Sequence, residues 1–165
     1  MVIGSSAGAS YYNTGSFEVG MSAVPQVDPY NPKAIQQGPS LCIFKQADYQ
    51  EVAASWLFVK FLTSDPAFQA EFSMASGYMP VTEAVLDIPL YQAFLDSSDL
   101  RAQALRTALE QRDAFFASAA FNGSANARDV VGSLMQYCFT VVTDTVEETI
   151  KKAFEEAIEE CWWYE

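Results

Sequence analysis

Histidine is missing from all 165 positions, and with it go the Ser-His and Cys-His nucleophile pairs, the usual zinc triads and any imidazole base. Cysteine is scarce. Cys42, Cys138 and Cys161 show no C-x-x-C-type spacing, and three thiols cannot all pair within one chain, so neither a metal site nor a disulfide framework is expected. Cys42 and Cys138 stand in apolar runs and read as small buried hydrophobes, which leaves Cys161, near the C-terminal end, as the accessible one. Basic residues are few as well: 9 Lys and Arg stand against 21 Asp and Glu, and a net charge of −12 repels nucleic-acid phosphates and anionic lipid headgroups. No nucleic-acid partner is expected. No apolar run reaches the roughly 18 residues that a membrane-spanning helix requires. Residues 1–20 lack the basic start and continuous apolar stretch of a secretory signal, and "MVIGSSAG" opens directly on an apolar segment, as the interior of a longer chain does.

Half of the residues are hydrophobic, enough for one sizeable core. The first third holds most of the glycines and prolines, and its short apolar pieces "MVI", "FEVGMSAV" and "SLCIF" predict strands between loops. Beyond residue 46 the period becomes helical. "ADYQEVAASWLFVKFLTS" sets Val52, Trp56 and Val59 on one stripe with Leu57, Phe58, Phe61 and Leu62 beside it, which predicts a mostly buried helix. "SDPAFQAEFSMASG" predicts a helix with a Ser64 or Asp65 cap, Pro66 at its first position and Gly77 at its end. "TEAVLDIPLYQAFLDSSD" predicts one or two short helices interrupted at Pro89, and "SDLRAQALRTALEQRDAFFASAA" a longer one capped by Ser98 or Asp99. "SANARDVVGSLMQYCFTVVT" reads as another.

The final pattern, "TVEETIKKAFEEAIEECWWY", combines a Thr145 cap, a Glu148 capping box and an apolar stripe of Val146, Ile150, Phe154, Ala157, Ile158 and Cys161. Glu147 with Lys151 and Glu148 with Lys152 are spaced as i,i+4 ion pairs on the opposite, solvent face.

No reacting constellation emerges from these residues, and the chain does not read as an enzyme: no catalytic residue, metal ligand or cofactor site is assigned. "GSSAG" matches the G-x-S-x-G elbow, yet the triad to which that elbow belongs needs a later histidine. A Gly-Ser-Ser turn can instead bring backbone N–H groups and hydroxyls close to a polar ligand, or it can be an ordinary turn. In "QQGPS", Gly38 permits close backbone approach. In "GYMP", Tyr78 stands on a turn between Gly77 and Pro80, where a phenol ring can stack on a sugar and its hydroxyl can fix it.

The order of these turns and helices along the chain resembles the C-terminal part of the extracellular solute-binding proteins of ABC importers, in particular the sugar and glycerol-3-phosphate-binding type. "MVIGSSAGASYY", "FEVGMSAVPQ", "GPSLCIFKQADYQEVAASWLFVKFLTSDPAFQAEFSMASGYMPV" and "TVEETIKKAFEEAIEEC" carry the resemblance. It implies an α/β, helix-rich chain that is the C-terminal segment of a two-lobed type II periplasmic-binding-protein fold, present as a partial fold. Residues 1–38 would be strands and loops of the C-terminal lobe, 39–76 a crossover into the N-terminal lobe, and 77–165 a helical return. The implied ligand contacts are Ser5, Ser6, Gly38, Tyr78 and Arg128. Arg128, in "GSANARDVV", matches an arginine that faces the ligand in the glycerol-3-phosphate branch, or else it is a surface ion-pairing residue. "QQGPS" departs from the family's more usual Gly-Gly-x-Ser.

The implied role is reversible capture of a carbohydrate or glycerol-phosphate-like solute between two lobes and delivery to the membrane permease subunits. The setting would be extracytoplasmic, periplasmic or lipid-anchored, with an export signal upstream of residue 1. Strand edges paired elsewhere in a whole binding protein would leave this segment prone to self-association or segment swapping. The competing reading is a helical protein-interaction module using Trp56, Trp162 and Trp163.

Overall fold

The computed structural model describes residues 1–45, 48–140 and 145–161, with side chains described to Glu159, and divides them into two compact units, Met1–Ala117 and Ser118–Glu165. Helix dominates both, and among the described residues the two strands are only two residues long.

In the first unit a 3₁₀ helix, Ser6–Tyr12, leads through irregular, bending chain to β1, Ala34–Ile35. Four helices follow: α1, Tyr49–Ser64; α2, Pro66–Ser76; α3, Pro89–Leu95; and α4, Leu100–Glu110. A 3₁₀ turn at Glu83–Asp87 joins α2 to α3, and β2, Phe115–Phe116, closes the unit by pairing in parallel with β1. The helix boundaries follow the punctuation in the sequence. Asp48 accepts from the Gln50 N–H, Asp65 from Phe68 and Asp99 from Arg101, each supplying an oxygen to a first-turn donor that has no partner within its helix. Pro66 and Pro89 sit at the first helical position, where the N–H that proline lacks has no helical use. The core gathers on Ala70, Val85 and Tyr91, with Met74, Leu86, Ile88, Phe94 and Leu95 packed around them. On α4, Ala102, Ala104 and Leu105 are buried, and the 3₁₀ helix lies against this element.

In the second unit α5, Ser124–Thr140, packs on α6, Val146–Cys161. The capping box forms as the sequence predicts: the Glu148 N–H donates to the Thr145 hydroxyl oxygen at 3.3 Å, while the Thr145 hydroxyl and N–H donate to the Glu148 carboxylate at 2.7 and 3.3 Å. These hydrogen bonds hold the Glu148 carboxyl below its ordinary range.

Several expectations need correction. "MVI", "FEVGMSAV" and "SLCIF" form no strands, because a strand needs an edge to pair with and none among the described residues runs beside them. Helix α1 forms where expected but buries none of its residues, and Trp56, Leu57 and Phe58 are each more than half exposed. Cys42 is exposed and Cys138 only partly covered, since the "SLCIF" segment that was to bury Cys42 runs as open chain. On α6 the face turned inward is Thr149, Ala153 and Ala157, whereas Val146, Ile150, Phe154 and Ile158 stay exposed. Small side chains at i,i+4 spacing let two helices approach closely, and that contact wins over the larger stripe one position further on. Among the described residues this helix pairs Lys151 with Glu155 at 4.0 Å, in place of the two expected pairs. Trp162 and Trp163 lie outside the described residues, and so does the side chain of Cys161.

Candidate functional site

The best-built turn in the first unit carries Tyr78. Helix α2 ends at Gly77, whose φ of +77° is the left-handed conformation that lets the Gly77 N–H close onto the Ser73 carbonyl at 2.8 Å. Two buried polar side chains one helical turn apart on α2 then grip the chain beyond it. The Ser73 hydroxyl donates to the Tyr78 carbonyl at 2.6 Å, and the Gln69 carbonyl oxygen accepts from the Val81 N–H at 3.1 Å. Gln69 also donates to the Leu62 carbonyl in the last turn of α1. Behind Ser73 lies the fully buried Tyr91 hydroxyl, 2.9 Å from Ser73 Oγ. A serine has one proton to give, and here it goes to Tyr78, so the Tyr91 O–H is the donor in that contact. Burial pushes the Tyr91 phenol above its ordinary value of 10.0, partly offset by the Ser73 hydroxyl, which can turn its proton toward a phenolate.

Tyr78 itself is 43% exposed, and its ring stacks on Phe72, with centroids 6.4 Å apart and 19° between planes. Phe72 in turn stacks on Phe68 at 6.0 Å, and Phe68 meets Phe61 of α1 at 5.1 Å. This row anchors the ring while leaving part of Tyr78 to solvent. A small depression of ≈ 130 Å³ borders the same turn, lined by Met79, Pro80, Val81, Leu86 and Leu109 and by the Arg112–Glu83 ion pair (3.2 Å).

Against this turn lies the Ser5–Ser6 segment. A side-chain carbon placed on Gly77 would stand 3.1 Å from the Ser6 carbonyl oxygen and 3.3 Å from the Ala7 Cα, so the approach of the two backbones requires glycine. The Ser5 carbonyl accepts from the Gly8 N–H at 2.9 Å, fixing the turn, while its side chain is exposed and makes no cap hydrogen bond.

One residue at this junction escaped sequence reasoning. Arg101 passes beside Gly77, its Cγ 3.6 Å from the same hypothetical carbon. Its guanidinium forks onto Asp99, Nη2 to Oδ2 at 2.7 Å and Nε to Oδ1 at 3.0 Å, and Nη1 donates to the Ala75 carbonyl at 3.2 Å. It also lies 6.0 Å from the Phe94 ring centroid. The hydrogen bonds from Arg101 hold the Asp99 carboxyl below its ordinary range, and those to Asp99 raise the guanidinium. The cation is therefore already neutralised. The helix-capping Asp99 in "SDLR" was legible in the sequence, but its second use, gripping an arginine two residues on, had no periodicity to signal it.

Gly38 and Arg128 each have their own surroundings. Gly38 is exposed, outside any helix or strand, with nothing within 4 Å of a side-chain carbon placed on it. Arg128 belongs to the second unit, where it is exposed and donates to the Ser118 hydroxyl at 2.9 Å. Among the described residues it makes no ion pair, which was the alternative for it. No group of three or more acidic or thiol side chains converges on a metal-sized site among the described residues, and no helix among them is long and apolar enough to cross a membrane.

A helix-rich chain whose polar turns, not an acid–base constellation, make up its most organised surface has the equipment of a binding protein. The family described as bacterial extracellular solute-binding protein matches residues 1–95, more than half of the chain, and the chain belongs to that family. No curated protein matches it. Membership gives substrate capture for transport as the general role, a small-molecule solute and a membrane permease as the general partners, and an extracytoplasmic setting. The matched segment includes Ser5, Ser6, Gly38 and Tyr78 and stops short of Arg101 and Arg128.

Proposed function

We propose that the chain contributes to the ligand cleft of an ABC importer's receptor, which binds a carbohydrate or a glycerol-phosphate-like solute reversibly between two lobes and hands it to the permease. Within that reading the chain is the C-terminal segment of a two-lobed type II fold, with 1–38, 39–76 and 77–165 alternating between lobes. Ser5, Ser6, Gly38, Tyr78 and Arg128 are the ligand contacts. The parent protein is exported, as a periplasmic or lipid-anchored protein. The mechanism is capture by closure: hydroxyls and backbone groups orient the solute, the Tyr78 ring stacks on it, and no bond of the solute is broken.

The observation that carries the reading is the seating of the Ser6 turn against Gly77, which sets two turns distant in sequence side by side, one of them carrying the exposed Tyr78. Within the first unit the nearby cation, Arg101, is matched by Asp99, and this supports a neutral, polyhydroxylated solute over an anionic one. The test is a thermal-shift panel on the full chain with maltose and sn-glycerol 3-phosphate, alongside Tyr78→Ala and Arg128→Ala. Because a ligand bound only by the folded state stabilises it by mass action, maltose raises Tm and Tyr78→Ala removes the rise. A rise with glycerol phosphate that Arg128→Ala abolishes moves the assignment to the anionic class.

The exposed aromatic side chains of α1, Trp56 57% and Phe58 62% accessible, favour a second reading, docking on a protein partner without transport. Solute-independent association that Trp56→Ala abolishes, with no thermal shift for any solute, is the outcome that selects it.

A further inference from the structure

Helix α2 spends two of its buried positions on groups that an apolar core does not want. Gln69 and Ser73 are 7% and 0% accessible and lie one turn apart on one face, and both face the turn that carries Tyr78. Neither caps the helix it stands on, and neither is exposed to touch a solute. Each instead satisfies a backbone group of the segment 78–81: the carbonyl at one end, the N–H at the other. Tyr91, on α3, supplies the donor that fixes the Ser73 hydroxyl from behind, and Gln69 ties the same grip to the last turn of α1. An apolar pair at these positions would pack as well but would leave the Tyr78 carbonyl and the Val81 N–H without these partners.

We propose that Ser73 and Gln69 are positioning residues for Tyr78, a two-point clamp that holds its backbone so that the partly exposed ring stays stacked on Phe72. The inference rests on the reading of Tyr78 as a solute contact, but the placement it asserts is measurable without any solute. Serine and glutamine are needed for their hydrogen-bonding atoms. The same backbone would drift if the helix face were Ala or Met, and the phenol would lose the fixed pose that rigid recognition of a sugar ring demands.

The experiment labels the full chain with 3-fluorotyrosine and follows the Tyr78 ¹⁹F resonance, assigned by its disappearance in Tyr78→Phe. Ser73→Ala shifts or broadens that resonance, and Ser73→Thr, which restores a hydroxyl, returns it toward its original position. Gln69→Met tests the other end of the clamp and decides the matter if Ser73→Ala does not fold by circular dichroism. A Tyr78 resonance left in place by every folded member of Ser73→Ala and Gln69→Met overturns the inference. Titration of the same variants with maltose separates the two claims. If Tyr78→Ala abolishes maltose binding, Ser73→Ala raises Kd by about tenfold, the effect of losing one well-made hydrogen bond. If Tyr78→Ala leaves maltose binding intact, the role of Tyr78 as a solute contact falls, and the clamp is judged on the resonance alone.

Discussion

Replacing Gly77 by alanine separates two costs that this structure imposes on one position. The first is conformational: at φ +77° an L-residue with a Cβ loses about 1 kcal/mol relative to glycine. The second is steric. The new carbon would meet the Ser6 carbonyl oxygen at 3.1 Å and the Ala7 Cα at 3.3 Å, both backbone atoms that cannot swing aside as a flexible side chain would. Forcing extra volume into such a contact costs about 1–3 kcal/mol, so Gly77→Ala should destabilise the first unit by about 2–4 kcal/mol in all. Gly15 supplies the control, because it has a similar φ of +69° and nothing within 4 Å of a side-chain carbon placed on it. Gly15→Ala therefore carries the conformational cost alone, about 1 kcal/mol. Urea denaturation of the full chain and both variants, followed by circular dichroism, reads the difference as a shift in midpoint at constant m-value. If the two substitutions cost the same within about 0.5 kcal/mol, a margin near that of independent-site comparisons, the close seating of the Ser6 turn on the Tyr78 turn is refuted. The candidate site would lose its main structural support with it.

The Asp99 carboxyl is lowered in the folded chain by its hydrogen bonds from Arg101, so the pair stabilises in full above the ordinary value of 3.8 and its contribution disappears as pH falls through the folded value; the acid limb of Tm against pH should be shallower in Asp99→Asn. Tyr91 has the opposite sign: its raised phenol favours the protonated folded state, so that stability is complete below about 10 and lost as pH rises through the folded value, and Tyr91→Phe should flatten the alkaline limb. Thr145→Ala removes the reciprocal cap of α6 and should cost about 1 kcal/mol, read as reduced helicity and a lowered urea midpoint. Cys42, exposed, should react with a thiol reagent ahead of the partly covered Cys138, checked by mass spectrometry of peptides after brief labelling.

The helices were legible where local chemistry decides them. Asp65, Pro66 and Gly77 bound α2, and Thr145 with Glu148 opens α6, because a cap needs only its own turn to be satisfied. Strands and burial were not legible on the same terms. "SLCIF" has the composition of a strand, but a strand is a relation between two segments, and composition says nothing of the second. In α1, Trp56, Leu57 and Phe58 record a preference for burial, yet whether that preference is met depends on what lies opposite the helix.

The candidate site divides along the same line. Tyr78 stands out in the sequence because its turn is written locally, as a glycine, an aromatic and a proline. The residues that make the turn specific were hidden: Ser73 and Gln69 read as ordinary polar positions on a helix, and Tyr91 as one more aromatic in a short one. Their meaning appears only when hydrogen-bond capacity is counted across elements, since Ser73 can satisfy Tyr78 only if Tyr91 supplies the proton that Ser73 no longer offers it. Arg101 is the sharpest case. As a sequence letter it is a cation that could favour an anionic solute; beside Asp99 and the Ala75 carbonyl it is a spent one, tying the end of α2 to the start of α4 beneath Gly77. The charge presented at this junction is thus set by pairing, not by composition, and it rests on two hydrogen bonds to Asp99 that no reading of spacing alone would place.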